Sequence, residues 1–165
     1  MYDGQRLKPL EEQKFFSDDI SSRPLVEGTV PRGHARLDDH LYTGKVDGRL
    51  VLSFPYPVSR EILSRGRKQF ETFCSPCHGR VGDGQGMIVQ RGFPKPNSFL
   101  SDSLRAKPVG HYFDVMTNGF GRMYNYASSV RVDDRWAIVA YIRVLQYRNG
   151  VAVGDLAESD LSTLP

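Results

Sequence analysis

The chain has 165 residues, the size of one ordinary domain with an appendage, and no apolar run approaches the roughly 18 residues of a membrane span. Only 39% of its residues are apolar, below the about 45–50% usual for globular chains, while 16 glycines and 10 prolines indicate extensive loops. The net charge is +3, and the basic residues are scattered without stacked aromatics. This distribution argues against nucleic-acid binding and indicates that the basic side chains lie on a solvent-exposed surface.

Residues 1–56 are predicted to form an extended segment that lacks regular structure. Their apolar residues occur in pairs, such as Phe15–Phe16 and Leu25–Val26, with no helical or strand period. Glycines and prolines divide the segment into turns, and only residues 48–54 have the composition of a short strand. Apolar pairs spaced along a polar chain favour wrapping over a partner protein rather than a disordered leader.

Residues 57–147 are predicted to form a mainly α-helical domain, followed by a C-terminal tail at 148–165. No sheet is expected. Three helices are bounded by capping residues or turn signals: from Ser59 to the cysteines, from about Pro108 to Asn118–Gly119, and from Val132–Asp133 to Gly150. The third has the clearest apolar pattern.

The only two cysteines, Cys74 and Cys77, stand three positions apart and are followed directly by His78. A structural zinc site needs four ligands, but the chain has neither a second cysteine pair nor a later pair of histidines. A thiol-redox site places its cysteines at the start of a helix in a strand–helix–strand setting, whereas this pair follows a helix. C-x-x-C-H is the pattern for covalent haem attachment, with the histidine as an axial iron ligand. The motif therefore predicts one covalently bound haem c.

The second axial ligand is expected to be a methionine, because His–Met ligation suits electron transfer. Met123 lies in a glycine-bearing loop 45 residues beyond His78 and is preferred over Met116, which falls within a predicted helix. Met87 is only nine residues from His78, which makes the opposite haem face difficult to reach. His111 is the bis-histidine alternative, although it too lies within a predicted helix. The favoured iron ligands are His78 and Met123.

With the haem motif, the loop carrying Met123 and the helix DRWAIVAYIRVLQ, residues 57–147 resemble class I cytochrome c domains. The resemblance implies a helical fold around one haem, in which the first helix crosses the last at a glycine–aromatic contact. The matching positions are Gly66 and Phe70 in the first helix, with Trp136 and Tyr141 as aromatic candidates in the last.

The family resemblance also implies a proline carbonyl that orients the axial histidine, for which Pro94 and Pro96 are candidates. The chain departs from the family where Met123 is followed by Tyr124 instead of proline. Four residues are candidate partners for the haem propionates: Arg91, Tyr124, Tyr126 and Trp136. Six apolar residues are candidates for the haem pocket: Phe93, Phe99, Val109, Phe113, Ile138 and Leu145.

Motifs in the leader extend the resemblance. The stretches KPLEEQKFF, SRPLVEGTVPRG, DDHLYTGK and FPYPVSREILSRGR, with those around the cysteines and Met123, look like the monohaem cytochrome c subunit of alternative complex III. That bacterial membrane assembly oxidises quinol and passes electrons to a periplasmic acceptor. The resemblance implies a peripheral subunit on the periplasmic face of the cytoplasmic membrane, with any lipid anchor upstream of Met1. The implied partners are other subunits, including another haem subunit, and a soluble electron acceptor.

These expectations describe an electron carrier in a respiratory or photosynthetic complex rather than an enzyme. A soluble shuttle cytochrome, or the cytochrome subunit of another oxidoreductase, is the alternative, and the 56-residue leader argues against a free shuttle. Catalysis at an open haem is a third hypothesis, which methionine ligation at the sixth iron position would exclude.

Overall fold

The computed structural model describes residues 4–148, which fall into two compact units, 4–37 and 38–148. The second unit contains the helices α1 (Asp39–Thr43), α2 (Arg60–Phe73), α3 (Ser75–His78), α4 (Met87–Gln90), α5 (Asp102–Arg105), α6 (Val109–Asn118) and α7 (Val132–Arg148). Strands β1 (Lys45–Val46) and β2 (Arg49–Leu50) form an antiparallel hairpin in which Lys45 pairs with Leu50. Among the described helices, none is both long and apolar enough to cross a membrane.

The first unit, residues 4–37, forms neither helix nor strand in the part that the structure describes, apart from an isolated bridge between Glu12 and Ile20. Its large apolar side chains stand at the surface. Leu10 is 99% exposed and Leu25 is 80% exposed, and Phe15, Val26, Val30 and Leu37 are exposed as well. A segment with this many solvent-facing apolar groups builds no core of its own.

Helix α2 begins at the predicted N-cap. The amide of Ile62 donates to Oγ of Ser59 at 3.4 Å, and the helix runs to Phe73, directly before the first cysteine. Satisfying an otherwise unpaired amide in the first turn stabilises the helix start. Both predicted ends of this helix are confirmed.

Helix α2 crosses α7 in backbone contact at Gly66. A Cβ atom at this position would lie 2.0 Å from the carbonyl oxygen of Ala137, so only glycine allows the two helices to approach this closely. One turn further along α2, the Phe70 ring meets the Tyr141 ring nearly edge-on, with centroids 5.4 Å apart. The structure therefore assigns the aromatic contact at this crossing to Tyr141 rather than Trp136.

Trp136 is fully buried on α7 and attaches residues 38–56 to the helical core. Its Nε1–H donates to the carbonyl oxygen of Leu41 at 2.8 Å, and its ring stacks on Phe113 with centroids 4.4 Å apart. The Phe54 ring also packs against it, at a centroid distance of 6.0 Å. Trp136 therefore holds the segment before α2 in place.

The hairpin segment is bonded to α6 through the backbone. The Val51 amide donates to the Gly44 carbonyl at 3.0 Å, and the Gly110 amide donates to the Val51 carbonyl at 3.0 Å. The compact helical unit consequently starts at Asp38, whereas the sequence predicts its start at residue 57. Contacts of this kind involve backbone atoms and leave no periodic pattern in the side chains.

Helices α6 and α7 begin where predicted, after Pro108 and at Val132, and α6 ends at Gly119 as expected. The predicted helix stop at Gly150 and nearly all of the predicted tail lie outside the described residues. The buried Gln146 on α7 donates from Nε2 to the Phe99 carbonyl at 2.8 Å and to the Tyr112 hydroxyl at 2.9 Å.

Gly66→Ala is expected to lower the free energy of unfolding by about 2–3 kcal/mol, because the added methyl forces α2 away from α7. Urea denaturation of the purified protein measures the change. Ser64→Ala, on the exposed face of the same helix, is the control and should change stability little. Equal stability of the two variants would contradict the backbone contact.

Trp136→Phe is expected to lower the free energy of unfolding by about 1–3 kcal/mol, because the Leu41 carbonyl loses its donor. Tyr141→Phe also removes one polar atom from an aromatic residue of α7 and should cost far less. If both substitutions cost the same in urea denaturation, the indole hydrogen bond does not hold the segment that precedes α2.

Candidate cofactor site

The CSPCH motif forms a single helical turn at the end of α2. The Cys74 amide still donates to the Phe70 carbonyl at 2.9 Å, and the His78 amide donates to the Cys74 carbonyl at 2.8 Å. Pro76 stands in the first turn of α3, where a missing amide hydrogen costs nothing. This turn brings Cys74, Cys77 and His78 to the wall of one cavity, and both thiols are free.

The glycine-rich loop that follows folds back onto the motif. The Gly84 amide donates to the His78 carbonyl at 2.8 Å, and the Gly86 amide donates to the Cys77 carbonyl at 3.1 Å. A Cβ atom on Gly86 would lie 2.1 Å from the Pro76 carbonyl oxygen, so the loop fits only with glycine there. The loop therefore fixes the carbonyl groups of the motif and the direction of α3.

The cavity has a volume of about 360 Å³, within the usual range for ligand pockets. It is lined by residues from α2, α3, α5, α6, α7 and the loops at 93–99 and 120–126: Phe73, Cys74, Cys77, His78, Phe93, Pro94, Lys95, Pro96, Asn97, Phe99, Leu104, His111, Tyr112, Val115, Met116, Phe120, Arg122, Met123, Tyr124, Tyr126 and Ile142. The lining is mostly aromatic and aliphatic, and none of these residues is acidic.

His78 is suited to bind a metal ion inside this cavity. Its ring stacks on Phe99 with centroids 4.5 Å apart, and its Nδ1 atom is buried with no hydrogen-bond partner among the described residues. Burial lowers the pKa of His78 to about 4, so the ring is neutral at pH 7 and keeps a nitrogen lone pair that it can donate to a metal ion. Pro94 and Pro96 line the cavity, but neither carbonyl bonds to Nδ1, unlike the arrangement that the resemblance implies.

The two thiols fit neither a thiol-exchange site nor a structural zinc site. Burial, with a smaller contribution from Cys77, raises the pKa of Cys74 to about 12, whereas a thiol-exchange nucleophile has a lowered pKa. Within residues 4–148, no group of three or more His, Cys, Asp or Glu side chains is arranged to hold a metal ion, which leaves a structural zinc site without ligands.

Within residues 4–148, two methionines line the cavity, Met116 and Met123. Met123 closes a tight turn in which it exchanges two backbone hydrogen bonds with Phe120, each 3.0 Å long. Met116 lies on α6, within the helix that the sequence predicts, and is only 5% exposed. His111 also lines the cavity, and burial followed by the charge of Lys107 lowers its pKa, so it is neutral at pH 7.

The predicted propionate partners divide into two pairs. Tyr124 and Tyr126 line the cavity, and burial raises the pKa of Tyr126, which keeps its phenol neutral. Neither Arg91 nor Trp136 lines the cavity, and the Trp136 indole N–H donates to the Leu41 carbonyl oxygen. Trp136 fails as a site residue because its indole already has a protein acceptor away from the cavity.

The predicted pocket residues divide in the same way. Phe93 and Phe99 line the cavity, whereas four belong to the core or packing around it without lining it: Val109, Phe113, Ile138 and Leu145. Sequence reasoning missed Lys95, Asn97 and Arg122. They lie in loops without a periodic pattern, and the proximity of Arg122 to Met123 in the chain was the only available signal.

The residues present fit a covalently attached haem: two cysteines for the thioether bonds, a neutral buried histidine with an unpartnered ring nitrogen, and thioether sulfurs on the same cavity. Residues 61–142 match the family model described as cytochrome c oxidase, cbb3-type, subunit III.

No curated protein sequence matches the chain. Among solved structures, a chain of a reducing HAO-like protein complex from Kuenenia stuttgartiensis is similar, with 22% sequence identity and a TM-score of 0.49. The match covers 65% of this chain and 54% of that one, so this chain spans about half the length of the solved structure. The CSPCH motif, the cavity that it lines and the family match over residues 61–142 support a c-type cytochrome domain in the helical part of the chain, and the cytochrome c family implies a covalently bound haem and electron transfer.

Proposed function

We propose that this chain is the electron-transfer subunit, with a single haem c, of a membrane-bound quinol-oxidising complex, respiratory or photosynthetic, and that it passes single electrons to a periplasmic acceptor. The observation that carries the proposal is the convergence of Cys74, Cys77 and His78 with a methionine on one largely apolar cavity. The identity of the complex is supported by the leader motifs that resemble the monohaem subunit of alternative complex III.

Cys74 and Cys77 would hold the haem covalently, and His78 would bind the iron from the side of α3. The turn at Phe120–Met123 would supply the second iron ligand from the thioether of Met123, because this residue lines the same cavity. A bound haem supplies a one-electron Fe(III)/Fe(II) couple, and thioether ligation favours the reduced form.

The remaining lining of the cavity is mostly apolar and would shield the haem from water. Phe99, Val115 and Ile142 supply apolar surface, and none of the lining residues is a carboxylate. Since only the charge on the iron changes during electron transfer, the site needs no proton donor or acceptor. This composition supports an electron carrier over an open haem that catalyses a reaction.

The exposed apolar side chains of residues 4–37 support the proposal that the chain is a subunit of a larger complex. Leu25 and Leu10 are exposed to solvent along with other apolar side chains of residues 4–37. Such groups are stabilised when a partner protein buries them. We therefore propose that these residues bind larger subunits on the periplasmic face of the membrane.

Met123→Leu is expected to abolish the near-infrared sulfur-to-iron charge-transfer band of the ferric protein and to lower its reduction potential, because the axial thioether is lost. Met116→Leu is the matched control, since both methionines line the cavity, and it should keep the band. If the band disappears in Met116→Leu and persists in Met123→Leu, the distal ligand is Met116.

Leu25→Asp is expected to reduce the co-purification of other haem-containing membrane subunits from the native host several-fold, because a charge replaces a side chain that a partner buries. Leu52→Asp is the control, as Leu52 is equally exposed, at 83%, but lies in the cytochrome unit. A wild-type chain that elutes as a freely soluble monomer with no associated subunits would instead support a shuttle cytochrome.

A further inference from the structure

We propose that Arg122 binds a carboxylate of the haem and keeps it ionised, so that the turn carrying Met123 also anchors the acidic edge of the cofactor. The proposal rests on the proposed function, because it requires a haem in the cavity. It assigns to Arg122 a role that the sequence gives to Arg91.

The charges around the cavity favour an anionic group beside Arg122. Haem carries two carboxylate groups, and transferring them into a partly apolar site requires positive partners. Among the described residues, one lysine and one arginine line the cavity, Lys95 and Arg122, and none of the lining residues is acidic. Arg91 does not reach the lining.

The Arg122 guanidinium has no partner elsewhere in the described part of the chain. Within residues 4–148, its side chain makes no hydrogen bond or ion pair. Two other arginines of the same unit are engaged: Arg67 pairs with Glu71 at 2.9 Å, and Arg143 donates to Oε1 of Gln146 at 2.7 Å. Arg91 is as unengaged as Arg122, but it does not line the cavity. Arg122 therefore keeps all of its donors for a ligand of the cavity.

Backbone hydrogen bonds and a close approach at Gly119 hold the turn that carries Arg122. Phe120 and Met123 close the turn with two backbone hydrogen bonds, and Gly119 precedes it with a φ of 82°. A Cβ atom on Gly119 would lie 2.7 Å from the Met123 carbonyl oxygen. Arg122 is thus held on the cavity by the same backbone geometry that holds Met123.

Arg122 is preferred over Lys95 for two reasons. The planar guanidinium can bind both oxygens of a carboxylate, whereas an ammonium acts as a point charge. The Lys95 stem also runs along the glycine-rich loop, with its Cε atom 3.2 Å from where a Cβ atom of Gly84 would lie.

A positive charge at Arg122 would also raise the reduction potential of the haem. A cation beside the haem carboxylate stabilises the reduced, less positive haem and holds the carboxylate ionised at neutral pH. Without that cation the carboxylic acid has a raised pKa, which is higher in the reduced than in the oxidised protein. Between these two pKa values the potential falls as the pH rises.

Redox titration of the holoprotein between pH 4.5 and 8 tests the proposal, with haem c content measured first by the pyridine haemochrome spectrum. Arg122→Gln is expected to lower the midpoint potential and to make it decrease with rising pH in the weakly acidic range. Arg122→Lys, which keeps the charge, should lower it less. Arg91→Gln is the matched control and should behave as wild type.

Wild-type potentials and pH profiles in both Arg122→Gln and Arg122→Lys would overturn the assignment, as would a pH-dependent potential that appears in Lys95→Gln and not in Arg122→Gln. Should Arg122→Gln fail to fold, Arg122→Lys decides alone, and an unchanged potential counts against the assignment. A wild-type chain without haem c would overturn the proposed function as well, whereas haem-loaded variants without an effect overturn only this inference.

Discussion

The contact between Gly66 and the carbonyl of Ala137 is the constraint on which the site depends. Because the α2 backbone lies directly against α7, the end of α2 is fixed, and the cysteine motif begins one residue after that end. Ile142 of α7 and Phe73 of α2 line the same cavity as the motif. The crossing thus sets where the two thiols and the His78 ring are placed.

The far side of the cavity depends on α6 and on the turn after it. Trp136 and the hairpin segment brace α6 against α7, through the indole bond to Leu41 and the backbone bonds of Val51. Met116 on α6 and Met123 on the following turn then face the cavity shared with His78. One candidate iron ligand, His78, therefore lies on a helix, and a short hydrogen-bonded turn presents the other, Met123. This arrangement suits a site whose geometry changes little when one electron is gained.

Local signals predicted the parts of this structure that are locally determined. The ends of α2 and α6 follow from Ser59, Pro108 and Gly119, and the attachment chemistry follows from the spacing of the cysteines. The role of Trp136 was not predictable, because an apolar pattern on α7 does not say which neighbour each side chain meets. The sequence did not predict that residues 38–56 pack on the helical domain, because hydrogen bonds to distant backbone carbonyl groups hold this segment there. It did not predict Arg122 as a cavity residue, because loops carry no periodic pattern.

The central claim is that Cys74 and Cys77 hold one haem covalently on the turn that ends in His78. Mass spectrometry of the intact chain under denaturing conditions, after production in a host with haem-attachment machinery, tests it most directly. The account predicts the mass of the polypeptide plus one haem, retained after extraction with acidified organic solvent and lost when both cysteines are replaced by alanine. The bare polypeptide mass after extraction of the wild-type chain would contradict it.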